Sequence, residues 1–557
     1  MTFEEAVAAV TGPGGSFEIV DGEVAGRSMP LFAAAPPSIR SLLDLARTRN
    51  DQEFLVFEDE RWTFASLADA IDRVGAMLVD RYGVGPGDRV GIAMRNSPEW
   101  IALYLATVSV GAVAVAYNAW WTTEELDFAF DDSEPTVVFV DAERLPRVLP
   151  LLGAAPFRVV AVRADDDLPD SVDRWSEVLP AEAGLPDVAI DPDADAHILY
   201  TSGTTDHPKG AISTHRAVLS ALLAFGARGA VTRLQSPPST EASPNPSCYI
   251  LCVPLFHVTG LVPVMLGSFT AGFKLVMMYK WDPARALELI EREKITVLVG
   301  VPTMSWDLLE CPEFEQRDTS SLVSVGGGGA PAPPELVKRI EEHFRRGRPS
   351  IGYGMTETNA YGPQNTGDDY VARPTSTGRA VPIMEVAVFD DEGRRLPAGH
   401  QGEIRFRGPM VIRGYWKRPE ATAETLIDGW LSSGDIGRID TDGFVYVEDR
   451  AKDMVLRGGE NIGSAEVEAV LYQHPAVYEA AVFGIPHHRL GEELVAAVMV
   501  RAGAMLTVDE IQDHVREHLA PFKVPTVVEF YSSPLPRNAN GKIMKRALRD
   551  DLIRRRS

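Results

Sequence analysis

The sequence predicts an α/β protein, with a large N-terminal region of several subdomains on parallel-rich sheets and a small α+β unit at the C-terminus. Strand-like and helix-like segments alternate through the early part of the chain, which is the pattern of βαβ units. The length, 557 residues, exceeds one ordinary core and calls for several structural units. Near residue 450 the texture changes, and the remainder carries a compact βα pattern of its own. The division is therefore drawn as 1–450 and 451–557.

The first elements follow from spacing. In "SIRSLLDLARTR" the apolar residues recur at helical intervals, and "EFLVFEDERWTF" reads as two strands about a polar turn. "SLADAIDRVGAMLVDRYG" is an amphipathic helix that should stop at Gly83; "RVGIAM" is a strand, and Asn96-Ser97-Pro98 opens the next helix. "TVVFV" and "RVVAV" are further short strands. The uncharged run from Trp100 to Thr123 approaches membrane-spanning length, but Gly111 divides it into a helix-like part and a β-branched part, both expected to be buried. The aromatics of "NAWWT" are assigned to core packing. "RADDDLPDSVD" and "LQSPPSTEASPNPS" read as surface loops. In the C-terminal unit, "SAEVEAVLYQHP" and "TVDEIQDHVREHL" are helices flanking the strands "EAAVFGI" and "ELVAAVMV".

Composition narrows the function. With 54 basic and 79 acidic side chains the net charge is −25, which repels nucleic acid and anionic membrane surfaces. Cys248, Cys252 and Cys311 form neither a disulfide framework nor a zinc pattern, so reduced thiols and a cytoplasmic setting are expected. The start, "MTFEEAVAAV", lacks the basic and apolar regions of a secretory leader.

The chemistry concentrates in "YTSGTTDHPKGA" (Tyr200 to Ala211). Between the strand-like "HILY" and the helix-like "AVLSALLAFG" it reads as a strand-to-helix turn whose amides, the hydroxyls of Thr201, Ser202, Thr204 and Thr205, and the charge of Lys209 suit an anion. The glycine-to-lysine spacing is not that of a Walker A loop. Downstream follow "SVGGGGAPAPPEL", "IGYGMTET", "STGRAVP", "GEIRFRGPMVIRGYW", "DGWLSSGDIGRID", "DRAKDMVLRGGENI" and "PRNANGKIMKRAL". In this order the set resembles the acyl-adenylate-forming superfamily, and within it the AMP-forming fatty and carboxylic acid acyl-CoA synthetases.

That resemblance implies two half-reactions. A carboxylic acid and MgATP give acyl-AMP and pyrophosphate, and the thiol of CoA then displaces AMP. It implies that Gly203 belongs with the phosphate loop, that Gly329, Ala330 and Pro331 lie along adenine, and that Tyr353 stacks on it. Thr356 would hold the α-phosphate, Glu357 would be the magnesium ligand, and Asp435 and Arg450 would hold the ribose. Lys452 matches the hinge about which the C-terminal domain moves, and Lys542 the lysine that bridges carboxylate and phosphate oxygens during adenylation, with Lys209, Thr356 and Glu357 as its catalytic companions. Gly459 matches the glycine that the pantetheine tunnel of CoA requires. His257 and Val301 fall at acyl-pocket positions, and the glycines at 326 to 328 and 352, Gly328 and Gly352 among them, imply an unobstructed deep end and a medium or long hydrophobic acid. A homodimer is compatible with the resemblance. Two alternatives stay open: an acyl-AMP ligase that loads a carrier protein, and a silent nucleotide-binding homologue. Two departures stand out: Asp206 replaces the usual glycine of the phosphate loop, and Gly463-Ser464 replaces the Tyr-Pro that commonly follows "GGENI".

Overall fold

The structure, a computed structural model, describes residues 1–153, 156–164, 167–201, 208–235, 245–450, 453–457, 460–539 and 541–556. It is an α/β protein organised on two eight-stranded sheets, a five-stranded antiparallel sheet and a five-stranded C-terminal sheet, with an N-terminal hairpin of Ile19–Val24 and Arg27–Phe32.

The first large sheet is parallel through Asp195–Thr201, Val113–Ala116, Arg89–Ala93, Val137–Asp141 and Arg158–Val162. The second is parallel through Arg348–Gly352, Ser324–Gly328, Val297–Gly300, Cys248–Leu251, Lys274–Met277 and Glu53–Phe57, with Glu60–Thr63 antiparallel at one edge. Such sheets need apolar cover on both faces, and one continuous core joins residues of both to the intervening helices.

Local chemistry explains the boundaries. Ser97 caps Pro98–Ser109 by accepting from the Trp100 amide, and Pro98 occupies the first turn, where a missing N–H costs nothing. The helix ends at Gly111, φ +77°, and the chain enters Val113–Ala116, so the long uncharged run is a buried helix and strand. The helix Phe64–Ala76 continues through a π-turn, Met77–Arg81, and closes at Gly83, φ +65°. His215–Gln235 is long and apolar enough to cross a membrane, but 61% of its most apolar window is buried inside the protein. From within it Arg228 donates to the carbonyls of Gln364 and Arg379, at 3.0 and 3.2 Å.

Three sequence expectations are corrected. Of the "NAWWT" aromatics only Trp121 packs in the core, while Trp120 is 48% exposed. The chain after "HILY" does not pass directly into a helix: Lys209–Thr214 is a strand, antiparallel to Asp195–Thr201 with Thr201 opposite Lys209. "GAIST" is buried within the sheet, and this burial outweighs the helical pattern that begins beyond it. The end of the acidic segment, Val172–Arg174, is likewise a short edge strand parallel to Arg158–Val162.

The C-terminal sheet carries Val477–His487 antiparallel to Gly491–Val500, with Val527–Tyr531 parallel to the latter. Its two faces bury separate apolar clusters, one under Ser464–Leu471 and Val508–His518, the other under Lys545–Arg556. This unit docks on the helix Pro302–Leu309 and its flank. Arg501 pairs with Glu310 at 2.7 Å, and the Trp306 and Tyr472 rings stack with centroids 6.2 Å apart.

Candidate functional site

One wall of the site is built by cross-strand pairing. Asp435 on Trp430–Ile439 lies directly opposite Arg450 on Val445–Arg450, and this register brings the Arg450 Nε to 3.2 Å from the Asp435 Oδ1. The other carboxylate oxygen accepts from the Tyr353 hydroxyl at 2.6 Å. Tyr353 follows the strand Arg348–Gly352, and its ring sits 5.4 Å from that of Phe406. Burial pushes the Tyr353 phenol well above its ordinary range, and the Asp435 charge adds to it, so the phenol is a permanent donor here. Asp435 is 5% exposed, and its two carboxylate oxygens are each engaged by a donor.

A second group gathers about Glu357. Thr356 and Glu357 lie on the short turn Thr356–Thr358, and Glu357 is buried, with its Oε1 accepting from the Tyr415 hydroxyl at 2.7 Å. Burial raises the Glu357 carboxyl, and the Tyr415 hydrogen bond opposes that shift. The Lys209 Nζ lies 5.4 Å from the centroid of the Tyr415 ring, and the Thr201 hydroxyl donates to the Lys209 carbonyl at 3.3 Å. Tyr415 falls inside the quoted "RGYW" stretch, but nothing in its spacing marked it. Its place depends on pairing of Gly414–Tyr415 with Lys209–Thr214, about two hundred residues away in sequence.

The third group comes from the C-terminal unit. Gly541, φ +80°, turns the chain so that the Lys542 amide donates to the Asn538 Oδ1 at 3.0 Å. Its carbonyl accepts from the Thr303 hydroxyl at 3.3 Å, and a Cβ at Gly541 would lie 3.0 Å from the Val301 Cγ2. The charges of Arg450 and Asp435 both act on the Lys542 ammonium. Burial and the Arg450 charge lower its ammonium to about 8. A cavity of about 340 Å³ opens beside this loop, with Cys252, Phe256, Met304, Trp120, Arg95 and Gly541 among its lining residues.

His257 begins the turn into Gly260–Leu266; its Nδ1 accepts from the Thr259 amide at 3.3 Å, and burial depresses it to about 4, leaving it neutral. The glycines divide into two kinds. A Cβ at Gly326 or Gly327 would come within 1.9 Å of the Ser350 carbonyl or 1.8 Å of the Gly300 carbonyl, and one at Gly328 within 2.3 Å of the Gly352 carbonyl. Close backbone approach requires these three. At Gly352 a Cβ would meet the Gln364 side chain at 3.6 Å and the Gly327 carbonyl at 3.8 Å, both ordinary contacts. Gly329, φ +81°, needs glycine for its backbone, and with Ala330 and Pro331 it leaves the strand as a turn with exposed surface. Ser202, Gly203, Thr204, Thr205, Asp206, Lys452 and Gly459 lie outside the described residues.

The AMP-binding enzyme family matches residues 43–416, and the AMP-binding enzyme C-terminal domain matches residues 466–542. A long-chain-fatty-acid–CoA ligase of Bacillus subtilis (strain 168) is 31% identical over 92% of this chain and 93% of its own. A feruloyl-CoA synthase of an Amycolatopsis species is 36% identical over 87% of this chain and 93% of its own. The crystal structure of ATP-bound MatB from Rhodopseudomonas palustris superposes with a TM-score of 0.80 at 31% identity, covering 92% of this chain and 98% of that one. The chain belongs to the AMP-binding enzyme family and stands with its AMP-forming acyl-CoA synthetases.

Proposed function

We propose that the protein activates a medium- or long-chain fatty acid, or a related hydrophobic carboxylic acid, and passes the acyl group to CoA. The acid carboxylate attacks the α-phosphorus of ATP and expels pyrophosphate; the thiolate of CoA then attacks the acyl carbonyl and expels AMP. The observation that carries this reading is the convergence of Lys542, on a loop of the C-terminal unit, with Tyr353, Asp435 and Arg450 of the N-terminal region. Asp435 accepts from the ribose hydroxyls, Arg450 steadies it, and the Tyr353 ring packs on adenine beside Gly329, Ala330 and Pro331. Lys542 offsets the negative charge that gathers between carboxylate and α-phosphate in the transition state, with Thr356, Lys209, Thr201 and the loop 202–205 on the phosphates. The unit from residue 451 onward then turns about Lys452 to bring Gly459 to the path of the thiol.

Glu357 is a buried carboxylate held by one phenol, and the described residues gather no cluster of three metal-ligating side chains. That donor set fits Mg²⁺, which habitually takes one or two carboxylates and completes its shell with phosphate oxygens and water. When bound it would neutralise phosphate charge; Glu357 is the residue that would hold it.

The relatives include ligases named for a long-chain fatty acid and for ferulate, so the acid is read as hydrophobic, with His257, Val301, Gly328 and Gly352 near its chain. Buried, reduced Cys248, Cys252 and Cys311 support a cytoplasmic setting. The test is a panel of octanoate, dodecanoate, palmitate and ferulate with ATP, Mg²⁺ and either free CoA or a holo-carrier protein. Thioester with CoA and a fatty acid is expected; preference for ferulate would overturn the chain-length reading, and transfer to the carrier alone would overturn CoA as acceptor.

A further inference from the structure

The helix Ser464–Leu471 starts without a cap of its own. Gly463 at its N-cap has no side chain to accept from the free amides of the first turn. The acceptor comes instead from across the 451–452 connection. The Ser464 amide donates to the Asp449 Oδ2 at 2.5 Å, and the Ser464 hydroxyl lies 3.2 Å from the Asp449 Oδ1. That hydroxyl also accepts from the Lys545 Nζ at 2.7 Å, and Lys545 pairs with Glu468 at 2.6 Å. Glu468 is fixed in turn by the Val482 amide at 2.7 Å. Ser464 is fully buried and Asp449 is 8% exposed, so the network is shielded from water.

The ends of this network are informative. Asp449 immediately precedes Arg450, whose guanidinium holds Asp435, while Lys545 lies three residues beyond Lys542 at the start of the helix Lys545–Arg556. Ser464 therefore joins the nucleotide-side wall to the loop that presents Lys542. A proline, which commonly stands here in the pattern this chain resembles, has no amide hydrogen and no hydroxyl, and could make neither contact. We propose that Ser464 is a positioning residue for the acid-activating half-reaction: with Asp449 and Lys545 it locks the C-terminal unit in the orientation that holds Lys542 over the site. Asp449 precedes and Ser464 follows the pivot assigned to Lys452, so rotation would part them, and the lock acts in one orientation only. This inference rests on the assignment of Lys542 to acid activation.

The experiment compares the half-reactions in the full chain with dodecanoate as the probe acid, or ferulate if the panel favours it. Acid-dependent pyrophosphate release in a single turnover reads the first, and thioester from the synthetic acyl-AMP plus CoA reads the second. Ser464→Pro should fold, because proline suits the first helical position and Gly463 is already extended at φ −70°, ψ 119°. It should slow pyrophosphate release about tenfold or more, as expected for losing hydrogen bonds to charged groups, and leave thioester formation unchanged or faster. Ser464→Ala, which keeps the amide, should fall between, and Ser464→Thr should restore most of the rate. Combining Ser464→Ala with Lys545→Met should add little to either alone. Lys542→Ala is run alongside. If it leaves pyrophosphate release intact, the Lys542 assignment falls. If it slows release while Ser464→Pro does not, or if Ser464→Pro slows both half-reactions equally, the lock is refuted.

Discussion

Raising the pH through about 8 should switch off acid activation in the free enzyme, because the first half-reaction is proposed to use the charge on Lys542. Burial, together with the Arg450 charge, lowers its ammonium from 10.5 to about 8. This corresponds to roughly 3 kcal/mol less comfort for the charged form than in water. The sign follows directly: the group is protonated below its pKa and loses its proton above it. About nine-tenths of the enzyme is then active near pH 7, half near pH 8 and one-tenth near pH 9, so kcat/KM for pyrophosphate release should fall about tenfold per pH unit beyond the midpoint. The triphosphate of bound ATP favours the ammonium, so the corresponding limb in kcat should lie at higher pH. The assay is single-turnover pyrophosphate release across this range, with thioester formation from synthetic acyl-AMP as the internal reference. Lys542→Arg should retain part of the rate and move the limb beyond reach, since a guanidinium stays charged. A flat profile between about pH 7 and pH 9.5, or a limb that survives in Lys542→Arg, would refute the reasoning.

Three further outcomes are expected. Tyr415→Phe removes the phenol that opposes the upward shift of Glu357, so the carboxylate should need higher pH to ionise, and the acid limb of the kcat/KM profile should move up; an unmoved limb would detach Tyr415 from the carboxylate proposed to hold magnesium. Asp206→Gly should lower the KM for ATP several-fold with little change in acid preference, because a carboxylate near a triphosphate opposes it by about 1 kcal/mol; reduced activity instead would make that carboxylate a functional ligand. Gly459→Leu should spare first-turnover pyrophosphate release and abolish thioester formation, and an unimpaired thioester yield would show that the thiol travels elsewhere.

Much of the fold was legible because its elements carry their own punctuation. Ser97-Pro98, Thr507 before Val508–His518, and the turn between Glu53–Phe57 and Glu60–Thr63 are local signals, and local hydrogen bonds realise them. The strand Lys209–Thr214 was not legible, since its short run gives little periodicity and is defined by partners on both sides, Asp195–Thr201 and Gly414–Tyr415. Within the site, Tyr353, Glu357, Asp435 and Lys542 could be singled out by sequence pattern. The residues that hold them could not: Tyr415 on Glu357 spans 58 positions, and Lys545 on Ser464 spans 81. Such partners are set by tertiary register, to which a linear spacing carries no clue.

The glycine run on Ser324–Gly328, placed at the acyl pocket in the proposed function, has a consequence for how acid preference can change. At 326, 327 and 328 any side chain would drive into a neighbouring strand's backbone, so these positions are closed to variation whatever acid is bound. A lineage or an engineer seeking a narrower chamber has Gly352, where a methyl group would find the movable Gln364 side chain and the Gly327 carbonyl at ordinary contact distance, or the side chains that face the strand. Diversification of this enzyme is therefore channelled: the sheet supplies an unalterable floor, and new preferences must be written on the furniture around it.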